Sequence, residues 1–160
     1  MKTRVLVAMS GGVDSSVAAY LLQQQGYDVI GITFQLYDYS RTNRADGKGG
    51  CCSLEDVNDA RSVCLKLGIK HFLFDSRERF QKRVVDYFSE SYKKGRTPNP
   101  CVACNTFIKF DELEYYAQEV NAEKFATGHY AKVVKTNGRP YIAAADDPKK
   151  DQSYFLLGVT

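Results

Sequence analysis

Ser10-Gly11-Gly12-Val13-Asp14-Ser15-Ser16 follows an apolar, β-branched run, Arg4-Val5-Leu6-Val7-Ala8-Met9, and leads into residues of helical period from Asp14 to Gln25. A strand that breaks at two glycines and reopens as a helix puts unpaired N–H groups and the positive end of a helix dipole at the strand's carboxyl end. Anions bind at such junctions. Gly11 and Gly12 allow close backbone approach and positive φ, while Ser10, Ser15 and Ser16 can add hydroxyl donors to phosphate oxygens. The loop lacks the Gly-Lys-Ser/Thr of a Walker A loop, and it is not the G-x-G-x-x-G dinucleotide fingerprint. Asp14 would repel a phosphate unless a cation stood between them, which points to magnesium bridging carboxylate and phosphates. A plain strand-to-helix turn capped by Asp or Ser would explain a bare Ser-Gly-Gly. The whole heptapeptide, placed after the first strand, favours the phosphate loop.

Working outward, β-branched apolar runs alternate with helical stretches, the pattern of a parallel sheet covered by crossover helices. Strands are expected at Arg4–Met9, Asp28–Phe34, Lys70–Phe74 and Lys124–Thr127. Gly26 ends the first helix. Ser53-Leu54-Glu55-Asp56 reads as a capping box, with Leu54, Val57, Ala60, Cys64 and Leu67 at helical spacing and Gly68 as the stop. Phe80, Val84, Tyr87 and Phe88 mark a helix running to Gly95. Arg96-Thr97-Pro98-Asn99-Pro100 is expected to be an exposed, stiffened, non-helical loop. A helix resumes near Cys101 and continues to Val120. Asn137-Gly138, between Tyr130–Val134 and Tyr141–Ala145, is a strong hairpin signal. Tyr37–Gly50 has no periodicity and reads as a mobile loop. Asp151–Leu157 looks like the start of a further packed element, so the chain is expected to be a fragment of something longer.

The 160 residues are enough for one domain, and 44% hydrophobic with 26% charged residues is a globular composition. There is no apolar run of about 18 residues to span a membrane, and no cleavage pattern follows Val5–Met9. Five cysteines in a chain that needs no disulfide staples point to a reducing compartment, the cytoplasm. The net charge of +3 is uneven: Ser76–Phe110 carries eight Lys or Arg against three acids, hence +5 locally and −2 elsewhere. On charge alone this is a solvated helix face or a stripe facing a polyanion.

Cys101 and Cys104 open a helix, where dipole and N–H groups favour thiolate, a nucleophile or a metal ligand. Structural zinc would need two further ligands from Cys51, Cys52, Cys64 or His129. Cys64 lies on an apolar stripe and reads as core packing; His129 reads as structural.

The Ser10–Ser16 heptapeptide resembles the pyrophosphate (PP) loop of the N-type ATP pyrophosphatases. That resemblance implies a Rossmann-like three-layer parallel sheet of the adenine nucleotide alpha hydrolase type. It also implies a nucleotide site lined by Ala8, Met9, Ser10, Gly11, Gly12, Val13, Asp14 and Ser15. A substrate oxygen attacks the α-phosphorus of ATP in that group, leaving an adenylate. Thr97-Pro98-Asn99-Pro100, Cys104-Asn105, Ile108-Lys109-Phe110, Ala126-Thr127-Gly128-His129-Tyr130-Ala131 and Lys150-Asp151-Gln152-Ser153-Tyr154-Phe155-Leu156 are similar, in order and spacing, to successive motifs of the tRNA-specific 2-thiouridylases.

This second resemblance implies ATP-dependent exchange of the C2 oxygen of the tRNA wobble uridine for sulfur, through an adenylated uridine and a cysteine persulfide. A cysteine desulfurase or sulfur-relay protein would supply that sulfur. Cys104 matches a catalytic cysteine; Phe34 and Gly128 match positions near the nucleotide. Asn99, Pro100 and Cys101 match the segment facing the target base, and Lys150, Asp151 and Gln152 a tRNA-contacting stretch. The +5 segment then reads as tRNA-facing. The family's second cysteine and its β-rich domains are expected beyond residue 160.

One departure is Cys101, which stands where the family's bacterial pattern has Asp. It removes a possible acid or base and creates a C-x-x-C. With a third cysteine beyond residue 160, that pair could hold a 4Fe–4S cluster, as in related tRNA thiolases. Two rival readings remain at this level: an amidating synthetase such as GMP synthetase, and a non-catalytic adenine-nucleotide sensor of the universal-stress type.

Overall fold

A computed structural model describes residues 2–38 and 53–159. The expected loop 37–50 from residue 39 onward, together with Cys51 and Cys52, lies outside the described residues. Four strands, β1 (Arg4–Ala8), β2 (Asp28–Gln35), β3 (Lys70–Asp75) and β4 (Lys124–Ala126), form one parallel sheet in the order β3-β2-β1-β4. Both faces of β1 are covered, which is why its sequence is continuously apolar rather than alternating. Val5, Val7 and Met9 pack with Val29, Ala19, Ala60 and Cys64 beneath α1 (Val13–Gln24) and α2 (Leu54–Leu67). Leu6 packs with Ile30, Ile32 and Phe34 on the other face, against Phe80, Val84, Ile108 and Leu113. The result is the expected three-layer arrangement.

The opposite layer is built from two long helices, each containing a π-helical stretch. The first runs α3 (Arg77–Phe80), a π turn over Gln81–Asp86, then α4 (Tyr87–Lys93). The second runs α5 (Pro100–Cys104), a π turn over Asn105–Phe110, then α6 (Asp111–Glu119). Each π turn inserts a residue into the helical repeat, which shifts the side chains after it around the axis. Ile108, in the second π turn, is completely buried in the core.

The end signals act as expected in most places. Ser53 and Asp56 form the reciprocal capping box, and Gly68 adopts the left-handed conformation (φ 67°) that closes α2. Asn137 (φ 52°) and Gly138 (φ 77°) take the paired positive φ of a two-residue hairpin turn between β5 (Lys132–Thr136) and β6 (Arg139–Ala143). Pro100 departs from the expectation. It is the first residue of α5 rather than the end of a non-helical loop, because the N1 position needs no amide donor and suits a φ fixed near −65°.

Two charge and thiol expectations change in three dimensions. Cys64 is fully buried among the residues under α1 and α2, whereas Cys104 packs on the other face of the sheet, so Cys64 cannot join Cys101 and Cys104 around zinc. Cys64 is core packing, as expected, and burial pushes its thiol up to about 11. Among the described residues, three of the eight bases in 76–110 make ion pairs. Arg77 meets Asp75, Arg79 meets Asp111 and Glu112, and Lys93 meets Glu90. Most of these acids lie just outside the segment, so its exposed positive charge is smaller than the +5 read from sequence.

His129 sits half-buried beside Phe110, its Nδ1 2.9 Å from the Thr127 hydroxyl. Burial, aided by the charge of Lys109, lowers its pKa to about 4. The folded chain therefore holds His129 neutral while the unfolded chain protonates it near 6.5. Stability is retained above that value and lost as pH falls from 6.5 towards 4. Allowing for solvent screening, about 1–2 kcal/mol is expected from this residue. Melting curves of the chain and of His129→Gln between pH 7 and 4 should show the steeper loss in the parent.

Candidate active site

The strand order places β1 between β2 and β4, so the chain goes out from β1 to β2 and β3 on one side and comes back to β4 on the other. Ligands of open α/β sheets bind in the crevice at that switch point, outside the carboxyl ends of the strands. Residues 9–12 and 127–130 flank this crevice. Gly12 is the N-cap of α1, and no side chain caps the helix. Among the described residues, no hydrogen bond uses the amides of Gly11, Val13, Asp14 or Ser15. Val13 is 75% exposed and Asp14 is exposed, whereas Ser15 is buried, so the start of the turn rather than its end faces solvent.

Two glycines make the crevice possible. Gly11 has φ 80°, and a Cβ there would lie 2.3 Å from the Asp56 carbonyl oxygen. Its freedom from a side chain therefore serves both the turn and the packing of the loop on the start of α2. Gly128 faces the loop from the β4 side: a Cβ would stand 2.6 Å from the Ser15 nitrogen and 2.8 Å from the Asp14 carbonyl carbon. Any larger residue would push the first turn of α1 out of place.

The other expected nucleotide residues divide. Met9 is buried, its amide donates to Ile32 O (2.7 Å), and its carbonyl accepts from the Thr33 hydroxyl (2.8 Å). Ala8 belongs to the β1 ladder opposite Ile32. Both support the loop rather than offering it donors. Ser15 is buried and its hydroxyl donates to the Gly12 carbonyl (3.1 Å) while accepting from the Ser10 amide (3.2 Å). Ser16 also donates to Gly12 O (2.8 Å). The hydroxyls of Ser15 and Ser16, expected to reach phosphate, thus brace the turn in this conformation. Ser10 is exposed and nearer the opening. Phe34 is 5% exposed and packed in the core, with its ring 6.4 Å from that of Tyr116, so what it presents near the crevice is main chain.

Asp14 projects from the first turn of α1, and its Oδ1 accepts a hydrogen bond from the Tyr130 hydroxyl (3.0 Å). Sequence reading missed Tyr130 as a site residue. It lies inside the quoted 126–131 motif, but its partner is 116 positions away in the chain.

Asn99 caps α5: its Oδ1 accepts from the amides of Cys101 (2.9 Å) and Val102 (3.2 Å). The amides expected to activate the thiols are therefore partly used by Asn99, whose side chain is held in place rather than free to swing. Cys101 is exposed and Cys104 half-buried, three residues apart on one helix face. Cys104 joins the apolar cluster that contains Ala8, Phe34 and Leu36, which places this thiol in the layer bordering the carboxyl ends of β1 and β2. Among the described residues, no group of three or more His, Cys, Asp or Glu is arranged to hold a metal ion.

Of the 150–152 stretch, Asp151 accepts from the amides of Ala145 (2.8 Å) and Ser153 (3.2 Å) and from the Ser153 hydroxyl (2.9 Å). The Ala145 amide, foremost among these donors, holds its carboxyl below the usual range. Gln152 brackets Tyr130, donating its amide to Tyr130 O (2.8 Å) and accepting from Tyr130 N through Oε1 (3.0 Å). Lys150 extends its ammonium over the Tyr130 ring, 5.1 Å from the centroid. Lys150 is the member of the three whose polar end faces outward.

Among solved structures, a predicted subunit of a tRNA methyltransferase from Methanocaldococcus jannaschii superposes with TM-score 0.53 over 80% of this chain and 53% of its own, at 23% identity. An NMN synthetase from Francisella tularensis superposes with TM-score 0.50 over 77% of this chain and 44% of its own, at 21% identity. These likenesses concern the fold. A tRNA-specific 2-thiouridylase MnmA from Clostridium perfringens is 50% identical over 159 residues, 99% of this chain and 44% of that protein. Its counterpart from Clostridium beijerinckii is 51% identical over 160 residues, 100% of this chain and 44% of that protein. The chain thus spans less than half the length of these relatives. The profile of the tRNA methyl transferase HUP domain matches residues 3–160. From its third residue to its last, therefore, the chain belongs to the tRNA methyl transferase HUP domain family.

Proposed function

We propose that this chain is the ATP-binding part of a tRNA-specific 2-thiouridylase, which exchanges oxygen for sulfur at C2 of a wobble uridine. The observation that carries the reading is the set of unpartnered amides of Gly11, Val13 and Asp14 at the switch-point crevice, with Gly128 packed against the first turn of the helix behind them. Donors fixed by a helix are already oriented towards the pyrophosphate that leaves when ATP is cleaved between its α and β phosphates. The carboxylate of Asp14 suits magnesium, a hard cation that takes oxygen ligands and would neutralise phosphate charge there. The relatives' name narrows the substrate to tRNA, and Cys101 with Cys104 on an adjoining helix supplies the thiol chemistry that name requires.

In this reading the uridine O2 attacks the α-phosphorus, forming an O–P bond as the bond to pyrophosphate breaks. The terminal sulfur of a cysteine persulfide then bonds to C2 and AMP departs with the former carbonyl oxygen. Cys104, having lost its thiol proton, attacks the inner sulfur, and the bond from that sulfur to the transferred one breaks, its electron pair staying with the 2-thiouridine. A thiol reductant reopens the disulfide left between Cys104 and the cysteine that carried the persulfide. That second cysteine lies outside these 160 residues and draws its sulfur from a desulfurase or relay protein. Asn99 and Pro100 stiffen the approach to the thiols, and exposed Lys150 provides a phosphate contact for the RNA. Such work is done in the cytoplasm. The two thiols of Cys101 and Cys104 do not by themselves make a 4Fe–4S site, so the cluster depends on a further cysteine beyond residue 160.

Gly128→Ala in the full-length protein is expected to weaken ATP–magnesium binding at least tenfold, measured by calorimetry, because the new Cβ displaces the Asp14–Ser15 backbone. Cys104→Ser should abolish 2-thiouridine in tRNA, read by nucleoside mass spectrometry, while changing ATP affinity less than about twofold, roughly 0.4 kcal/mol. Residues 1–160 alone should bind ATP yet transfer no sulfur.

A further inference from the structure

We infer that Tyr130 is a positioning residue that couples the nucleotide loop to the RNA-facing segment, so that ATP–magnesium and tRNA bind with positive cooperativity. The inference rests on the function proposed above, in which Asp14 serves the nucleotide and Lys150 the RNA. Three contacts converge on this one residue. Its hydroxyl donates to Asp14 Oδ1 (3.0 Å). Its main chain is held at both polar atoms by Gln152, through Oε1 (3.0 Å) and the amide (2.8 Å). Its ring lies under the Lys150 ammonium at 5.1 Å. Gln152 is in turn followed by a 3₁₀ turn, Ser153–Leu156, whose start is pinned by Asp151.

The consequence is a short mechanical and electrostatic path. A carboxylate has two oxygens, and Tyr130 occupies one of them. That bond fixes the rotamer of Asp14 and leaves Oδ2 for a cation, so a nucleotide that immobilises Asp14 also immobilises Tyr130. Because Gln152 grips the Tyr130 main chain from both sides, residues 150–152 are ordered by the same event. An RNA backbone that then contacts Lys150 meets a segment whose freedom has already been reduced, and linkage makes the effect reciprocal. Phenylalanine at 130 would keep the ring beneath Lys150 and the main-chain bonds to Gln152 but would cut the connection to Asp14.

The test uses the full-length protein with magnesium and a nonhydrolysable α,β-methylene ATP analogue, measuring its Kd with and without saturating substrate tRNA. The parent should bind the analogue about fivefold more tightly when tRNA is present. Tyr130→Phe should bring that ratio to about one with an unchanged melting temperature. A coupling ratio unaltered by Tyr130→Phe overturns the inference, as does a parent that binds both ligands independently. If the parent binds no analogue at all, the proposed function fails and this inference with it, which is a separate readout. Should Tyr130→Phe not fold, Gln152→Ala removes the Oε1 contact to the Tyr130 amide, the side-chain half of the other end of the link, and must reduce the ratio, or the inference is wrong.

Discussion

The N-terminus of α1 is left without a side-chain cap at the carboxyl end of the central strand, and the surrounding structure keeps it in that condition. Gly12, at the capping position, has no side-chain oxygen to offer the amides behind it. Ser10, Ser15 and Ser16 turn their hydroxyls to the Gly12 carbonyl or to one another, bracing the turn and taking the amides of Ser10 and Gly12 while leaving those of Gly11, Val13 and Asp14. Unpaired amides cost free energy when buried and little when wet. The fold therefore keeps Gly11–Asp14 at the solvent edge, where a phosphate can replace water. Gly128 then approaches from the β4 side as closely as backbone can approach backbone.

Rigidity behind the loop comes from packing on both faces of β1. Val5 and Val7 are locked under α1 and α2, and Leu6 faces the π-bearing helices. Thr33 ties the Met9 carbonyl to β2 and meets the His71 ring at 2.8 Å, so the residue just before the loop cannot drift. On the far layer, Ser76 donates to the buried Glu112, joining the start of α3 to α6. Desolvation raises the Glu112 pKa despite this bond and despite Arg79, so burial removes more of the charged form's solvation than its partners restore. The helix carrying Cys101 and Cys104 thus rests on an anchored layer.

The basic stretch illustrates how three-dimensional pairing revises a linear charge count. Arg79 is drawn to Asp111 and Glu112 across the helix layer, and Arg77 makes two short bonds to Asp75. Charges committed in this way contribute less to long-range attraction of a polyanion than isolated ones. Lys150, set over an aromatic ring rather than against a carboxylate, keeps its charge for a partner.

Much was legible in sequence because it depends on neighbours in the chain. The alternation of apolar runs with helical stretches dictated a parallel layered sheet. Ser53 with Asp56, Gly68 and Asn137-Gly138 dictated their cap, stop and turn, and the heptapeptide dictated a strand-to-helix junction. Pro100 was misplaced because a proline's effect changes sign between a helix interior and its first residue, a difference of one position. Tertiary structure alone decided which groups meet. It set Cys64 and Cys104 on opposite faces of the sheet, sank the Phe34 ring into the core, and turned Ser15 inward. It also put Gly128 and Tyr130 against Asp14 across more than a hundred residues. Such meetings follow from strand order and packing, which no local pattern encodes, since propensities and caps act over a turn or two while the crevice is made where two distant strands end side by side.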